Sequence, residues 1–216
     1  WDVGWGNRNN ISTYLILTAG LTLYLSAVQR HGWIYLLVGL VQYLCILFSF
    51  SRGGIIFGAI SGIIALVLSV VKSENRKQQL ISIGIILGLV LVLYLIFMDK
   101  INAIIGSLLE RGMGTSGRTE LYIEAWECFK RFPFLGAGLG YQGNNFDITV
   151  MNMYWFHSTL FQVIGSLGIV GLAAYIWYYA VRAKLLFKNI KNTFNLFILA
   201  IWIGFEGYCM IDAGTF

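Results

Sequence analysis

Long apolar runs separated by short polar or charged connections dominate this chain. The runs are continuous rather than alternating, so they read as helices and not strands. Six of them approach the roughly 20 residues that cross a hydrocarbon core: Ile11–Val28, Trp33–Phe50, Gly53–Val71, Leu80–Met98, Ser158–Val181 and Thr193–Ile211. With no water in that core, backbone groups must be satisfied inside helices or a closed barrel. The pattern predicts an all-α fold, a polytopic transmembrane helical bundle. A large helical extracytoplasmic loop is expected between the fourth and fifth spans. The chain then divides into a four-span block at 1–98, an external loop at 99–156 and a two-span block at 157–216.

The loop has a pattern of its own. Ile101, Ile104, Ile105, Leu108 and Leu109 fall on one helix face, which predicts a short amphipathic helix lying against the membrane or the bundle. Gly112, Gly114 and Gly117 end it. A second helix is predicted from Thr119 to Arg131, with Thr119 as cap, Glu120 at the positive dipole end and Pro133 just beyond. Glu120, Glu124 and Glu127 on this helix read as a solvated face. The glycine-rich 135–143 stretch reads as a loop, because no strand precedes it as a dinucleotide fingerprint requires.

Composition sharpens the picture. Hydrophobic residues make up 58% of the chain and charged ones 12%, which excludes a disordered segment and argues against a soluble domain. The net charge of +5 comes from connections, not from a nucleic-acid-binding face. Arg30 lies in the first connection, Lys72, Arg76 and Lys77 in the third, and Arg182, Lys184, Lys188 and Lys191 in the last. With six alternating spans these three share one side, which the positive-inside rule makes cytoplasmic. The Ser51–Gly54 turn and the 99–156 loop then face outward. That loop holds six acidic and five basic residues, without the cytoplasmic bias. Cys45, Cys128 and Cys209 are too scattered for a metal site or a disulfide framework, and the two histidines are far apart. The chain opens at Trp1 without the charged start of a signal peptide and is read as the later part of a longer membrane protein.

Against this background a few polar residues stand out. Arg52, beside Gly53 and Gly54, interrupts the longest apolar stretch. It is either a snorkelling anchor or an anion clamp whose planar donors suit phosphate oxygens. Arg118 opens the second loop helix, as an exposed loop residue or as a second anion ligand aided by a helix N-terminus. His157 begins the fifth span, as part of an aromatic belt or as a general base, a role that suits imidazole. Glu206, in the outer half of the last span, needs a partner or a wet cavity. It would pair with a buried polar group or help bind an acceptor.

Taken in order, GWGNRNN at 4–10, SRGG at 51–54, Ser116-Gly117-Arg118, Ala125-Trp126, Phe132-Pro133, Leu135-Gly136-Ala137-Gly138, His157 with Leu160, and Gly165-Ser166-Leu167-Gly168 with Gly171 form one constellation. It resembles the O-antigen ligase/polymerase superfamily, polytopic enzymes of bacterial surface-polysaccharide assembly. The resemblance covers nearly the whole chain, as the C-terminal half of such a protein. It implies an inner-membrane enzyme whose active site faces the extracytoplasmic side. The implied donor is an oligosaccharide on a polyprenyl pyrophosphate, and the implied acceptor a glycan or lipid hydroxyl. Arg52 and Arg118 correspond to arginines that bind the donor pyrophosphate, and His157 to a histidine near the acceptor. Ser158 stands where many members have asparagine, which bears on acceptor contacts; Ser158 and Glu206 complete the expected substrate-binding set. The motifs do not separate polymerase from ligase.

The glycosyltransferase expectation needs no metal or other cofactor, since two guanidiniums can take a divalent ion's place. Other polysaccharide-assembly proteins are possible partners. An anion or small-solute transporter is the alternative, opposed by the lack of paired Gly/Pro-broken spans. A scaffold within an assembly complex would tolerate loss of His157.

Overall fold

The computed structural model describes residues 8–49, 51–100, 102, 106, 118–139 and 156–211. Among the described residues, seven helices follow in chain order: α1 (Arg8–Val28), α2 (Gly32–Phe48), α3 (Arg52–Lys72), α4 (Arg76–Ile96), α5 (Arg118–Arg131), α6 (Thr159–Lys188) and α7 (Thr193–Cys209). No strand occurs among the described residues. All six expected spans fall on helices. Those in α1, α3, α4 and α6 are long and apolar enough to cross a membrane. α2 and α7 are apolar but 17 residues long, at the lower limit for crossing. The chain is thus a multi-pass membrane protein. The predicted amphipathic helix at 101–109 lies largely outside the described residues.

The chain forms two compact units. Unit 1 comprises Trp1–Gly114 with Ile190–Glu206, and unit 2 comprises Thr115–Asn189 with Gly207–Phe216. In unit 1, Leu23, Ala27, Leu36, Ala65, Phe197 and Ala200 form a buried core. Small residues let these helices approach closely. A Cβ on Gly58 would meet Ile46 at 3.3 Å, and one on Gly62 would meet Tyr43 at 2.8 Å. Such small-residue contacts are how helices associate where lipid removes the hydrophobic drive. The outer surface is apolar instead: Ile85, Leu87, Leu91, Leu95 and Ile96 of α4 are all exposed. Gln79, buried near the start of α4, donates through Nε2 to the Ser26 carbonyl at 2.5 Å and ties α4 to α1. At the same end, Arg30, Lys72 and Thr193 border one cleft of about 460 Å³. The first and third connections, two of the three expected on a common side, therefore meet there, beside the start of α7.

Unit 2 departs from the predicted pattern in two ways. α5 includes Arg118, so Thr119 lies within its first turn and does not cap it. α6, predicted as one span from Ser158, is two helical segments joined at Gly168, where φ is 62° and ψ −154°. The break frees backbone groups that the turn after α5 satisfies. Ile169 and Val170 donate to the Pro133 and Phe134 carbonyls at 2.8 and 3.2 Å. The Gly165 and Ser166 carbonyls accept from Ala137 and Gly138, each at 2.9 Å. Non-helical backbone is tolerated in such a chain only where protein groups satisfy it, as they do here.

Candidate functional site

Arg52 sits at the first position of α3, and a knot of serines places it there. Ser49 donates its hydroxyl to the Ile46 carbonyl at 2.6 Å, so in its 2.8 Å contact with Ser12 it accepts. Ser49 Oγ also accepts from the Ser51 amide at 3.2 Å. Ser51 in turn caps α3, its Oγ accepting from the Gly54 amide at 3.3 Å. A Cβ on Gly54 would stand 2.6 Å from Ser12 Oγ, so this glycine is what lets α1 reach the knot. Arg52 itself is exposed, at the end of unit 1 opposite to the basic cleft. Replacing Ser51 with alanine is expected to destabilise the protein by about 0.5–2 kcal/mol through loss of the cap, measurable as a lowered midpoint of thermal unfolding in detergent. Alongside α3, an apolar groove of about 210 Å³ runs past Ile55, Gly58, Gly62 and Leu66, with Leu40, Tyr43 and Leu47 opposite.

In unit 2, the inner face of α5 carries Leu121, Ala125 and Cys128, with Ala125 and Cys128 packed around Phe156. Arg118 and Tyr122 are one turn apart on that helix and share a face. Arg118 Nη1 donates to the Ile211 carbonyl at 2.6 Å, just past the end of α7. This donor is thus spent on a helix end, where a cation is favoured. Tyr122 stacks on Phe161, with ring centroids 4.3 Å apart and planes 7° apart. Its hydroxyl donates to the His157 carbonyl at 3.2 Å. The fold therefore gathers Arg118 and His157 around α5 within one unit. Arg52 belongs to unit 1.

His157 has φ of 50°, a left-handed conformation that no other described non-glycine residue adopts. Such backbone costs about 1–3 kcal/mol and persists where surroundings over-determine it. Ser158 follows as the cap of α6; it is buried and its Oγ accepts from the Phe161 amide at 3.5 Å. Glu206, in unit 1, is buried and accepts from Trp202 Nε1 at 3.1 Å. The α5 glutamates lie on its outer side; Glu120 and Glu127 are exposed, and Glu127 pairs with Lys130. They border a cleft of about 660 Å³ that neither Arg118 nor His157 lines. Among the described residues, no group of three or more His, Cys, Asp or Glu residues is arranged to hold a metal ion.

Sequence reasoning missed Tyr122 and Gln162. Tyr122 looked like any residue of an amphipathic face. Gln162 does carry a signal in the sequence, because an amide within an apolar span needs partners.

A family model described as O-Antigen ligase matches residues 36–176. The matched region takes in Arg52, Arg118, Tyr122, His157, Ser158 and Gln162, and ends before Glu206. No curated protein and no solved structure matches the chain.

Proposed function

The chain belongs to the O-antigen ligase family of membrane glycan-processing enzymes, and from that premise we propose that it transfers an oligosaccharide from a polyprenyl pyrophosphate to a hydroxyl of a glycan or lipid acceptor. The observation that carries this reading is the bond from Tyr122, one turn from Arg118 on α5, to the His157 carbonyl, which keeps in one unit the two residues that the reading casts as anion ligand and proton acceptor. Arg52 at the head of α3 supplies the second guanidinium. The apolar groove that starts at Ile55, one turn beyond Arg52, suits a prenyl chain. The basic residues at the other end of unit 1 support, by the positive-inside rule, an extracytoplasmic Arg52 end, as an enzyme of a bacterial inner membrane would need.

In the reaction, the acceptor oxygen bonds to the anomeric carbon of the donor sugar as the bond from that carbon to the phosphate oxygen breaks. The hydroxyl proton passes to the His157 imidazole. The leaving polyprenyl pyrophosphate keeps the electron pair, and its growing charge is held by Arg52 and Arg118. Charges fixed in advance where charge develops are often the largest catalytic term. Ser158 contributes through the turn that it caps, and Glu206 through the acceptor side.

The test is a proteoliposome assay of the full-length protein with a synthetic polyprenyl-pyrophosphate oligosaccharide. Arg52→Ala and Arg118→Ala are each expected to lower turnover by about 10²-fold or more. Lysine at either position should restore only part, because an ammonium is a point charge without paired donors. Wild-type turnover in both alanine variants would remove the proposal.

Anion transport gains one point from the broken helix, the feature that marks many transport sites. Its freed carbonyls and amides are, however, occupied by residues 133–138. Uptake of labelled phosphate into the same proteoliposomes separates the two readings.

A further inference from the structure

We infer that Tyr122 and Gln162 are positioning residues that hold the His157 imidazole in its working direction. The inference rests on the glycosyl-transfer reading and adds two residues to it.

The backbone is tied immediately before and immediately after His157. Before it, the Phe156 amide donates to Gln162 Oε1 at 3.0 Å. After it, the His157 carbonyl accepts from the Tyr122 hydroxyl at 3.2 Å. Between these two ties lies the left-handed φ of 50°. Glycine takes that conformation with no side-chain penalty. A histidine kept there against its own preference points to a role for the imidazole beyond the turn.

Each tie is itself fixed. Gln162 is buried, and its Nε2 donates to Ser166 Oγ at 3.0 Å, so the amide oxygen can only face Phe156. The Ser166 carbonyl accepts from Gly138, which links the clamp to the turn filling the α6 break. Tyr122 is held flat against Phe161. Since Tyr122 is one turn from Arg118 on α5, movement of that helix shifts the guanidinium and the His157 turn together.

Tyr122→Phe keeps the stacked ring and removes only the hydroxyl. Gln162→Met removes the acceptor at similar volume, and Gln162→Glu keeps an acceptor oxygen. The readouts are kcat and donor KM in the proteoliposome assay and the histidine side-chain NMR of the full-length protein in detergent. The His157 signal is assigned by its loss in His157→Ala. Tyr122→Phe and Gln162→Met are expected to split or shift that signal and to lower kcat by about 10- to 100-fold, the scale of a misplaced catalytic group, with donor KM unchanged. Gln162→Glu should recover most of the rate. An unshifted signal in both Tyr122→Phe and Gln162→Met overturns the clamp, whatever the activity. A shifted signal alongside wild-type turnover in His157→Ala leaves the clamp standing and removes His157 from the reaction.

Discussion

Replacing His157 with alanine is expected to lower turnover on a lipid-linked oligosaccharide by about 10²- to 10⁴-fold, the range for losing a positioned general base. Donor affinity should change little, because in the proposed reaction the guanidiniums carry the pyrophosphate. Glycine at the same position makes the test sharper. His157 holds a left-handed backbone, φ 50°, that favours glycine. The alanine variant keeps most of this strain, whereas the glycine variant releases it. His157→Gly is therefore expected to be as inactive as His157→Ala and at least as stable. Relief of about 1–3 kcal/mol of strain outweighs the roughly 0.5–1 kcal/mol that glycine adds to the entropy of the unfolded chain. Thermal unfolding in detergent, run beside the activity assay, reads both. A gain in stability paired with a loss of activity identifies a residue strained for function. A histidine that merely anchored the turn would show turnover and stability falling together in the alanine variant. Wild-type turnover in either variant would exclude the imidazole from the chemistry.

How much of this was legible in the sequence depends on where the physical information lies. The spans were legible because hydropathy is a local property. Each apolar run needs a helix in a bilayer, whatever it packs against. Arg52 was legible for the same reason, since a guanidinium beside two glycines in an apolar stretch marks a span end, and α3 begins at Arg52. The break in α6 was not, because Gly168 lies inside a run that is apolar enough overall to read as one span. The groups that stabilise it come from 133–138, far away in the chain. Gly136, Gly138, Gly165 and Gly168 were visible as a recurrent pattern, but not as two halves of one contact. Tyr122 and Gln162 were hidden in another way. Their part is played through hydrogen bonds to backbone groups of Phe156 and His157, and backbone partners leave no mark in composition. Ser158 stood out beside the histidine, yet its role as the cap of α6 follows from a helix start that the span boundary located only approximately.

The largest structural effect is expected at Gly168. Its φ of 62° and ψ of −154° lie in a region essentially restricted to glycine. A Cβ there would also stand 2.6 Å from the Gly136 nitrogen and 2.7 Å from the Phe134 carbonyl carbon, and backbone cannot turn aside as a side-chain tip can. Alanine must therefore push the 133–138 turn out of the break. The four backbone hydrogen bonds that the turn makes would go with it. Strain contributes about 1–3 kcal/mol, and each buried backbone group left without a partner adds about 1–3 kcal/mol more. The total rivals the roughly 5–15 kcal/mol that holds a whole domain together. Gly168→Ala is expected to leave unit 2 without its native packing, to expose the 131–139 segment to protease and to abolish turnover. Two other glycines separate the causes. Gly138 has φ of 87° but open space where its Cβ would go, so alanine there brings strain alone, about 1–3 kcal/mol. Gly84, within α4, also has open space and no special φ, and alanine there should be neutral to stabilising by up to about 1 kcal/mol. Limited proteolysis and thermal unfolding of the three variants should rank them in that order. If Gly168→Ala instead unfolds with Gly84→Ala, α6 runs unbroken and the 133–138 turn does not lie in it.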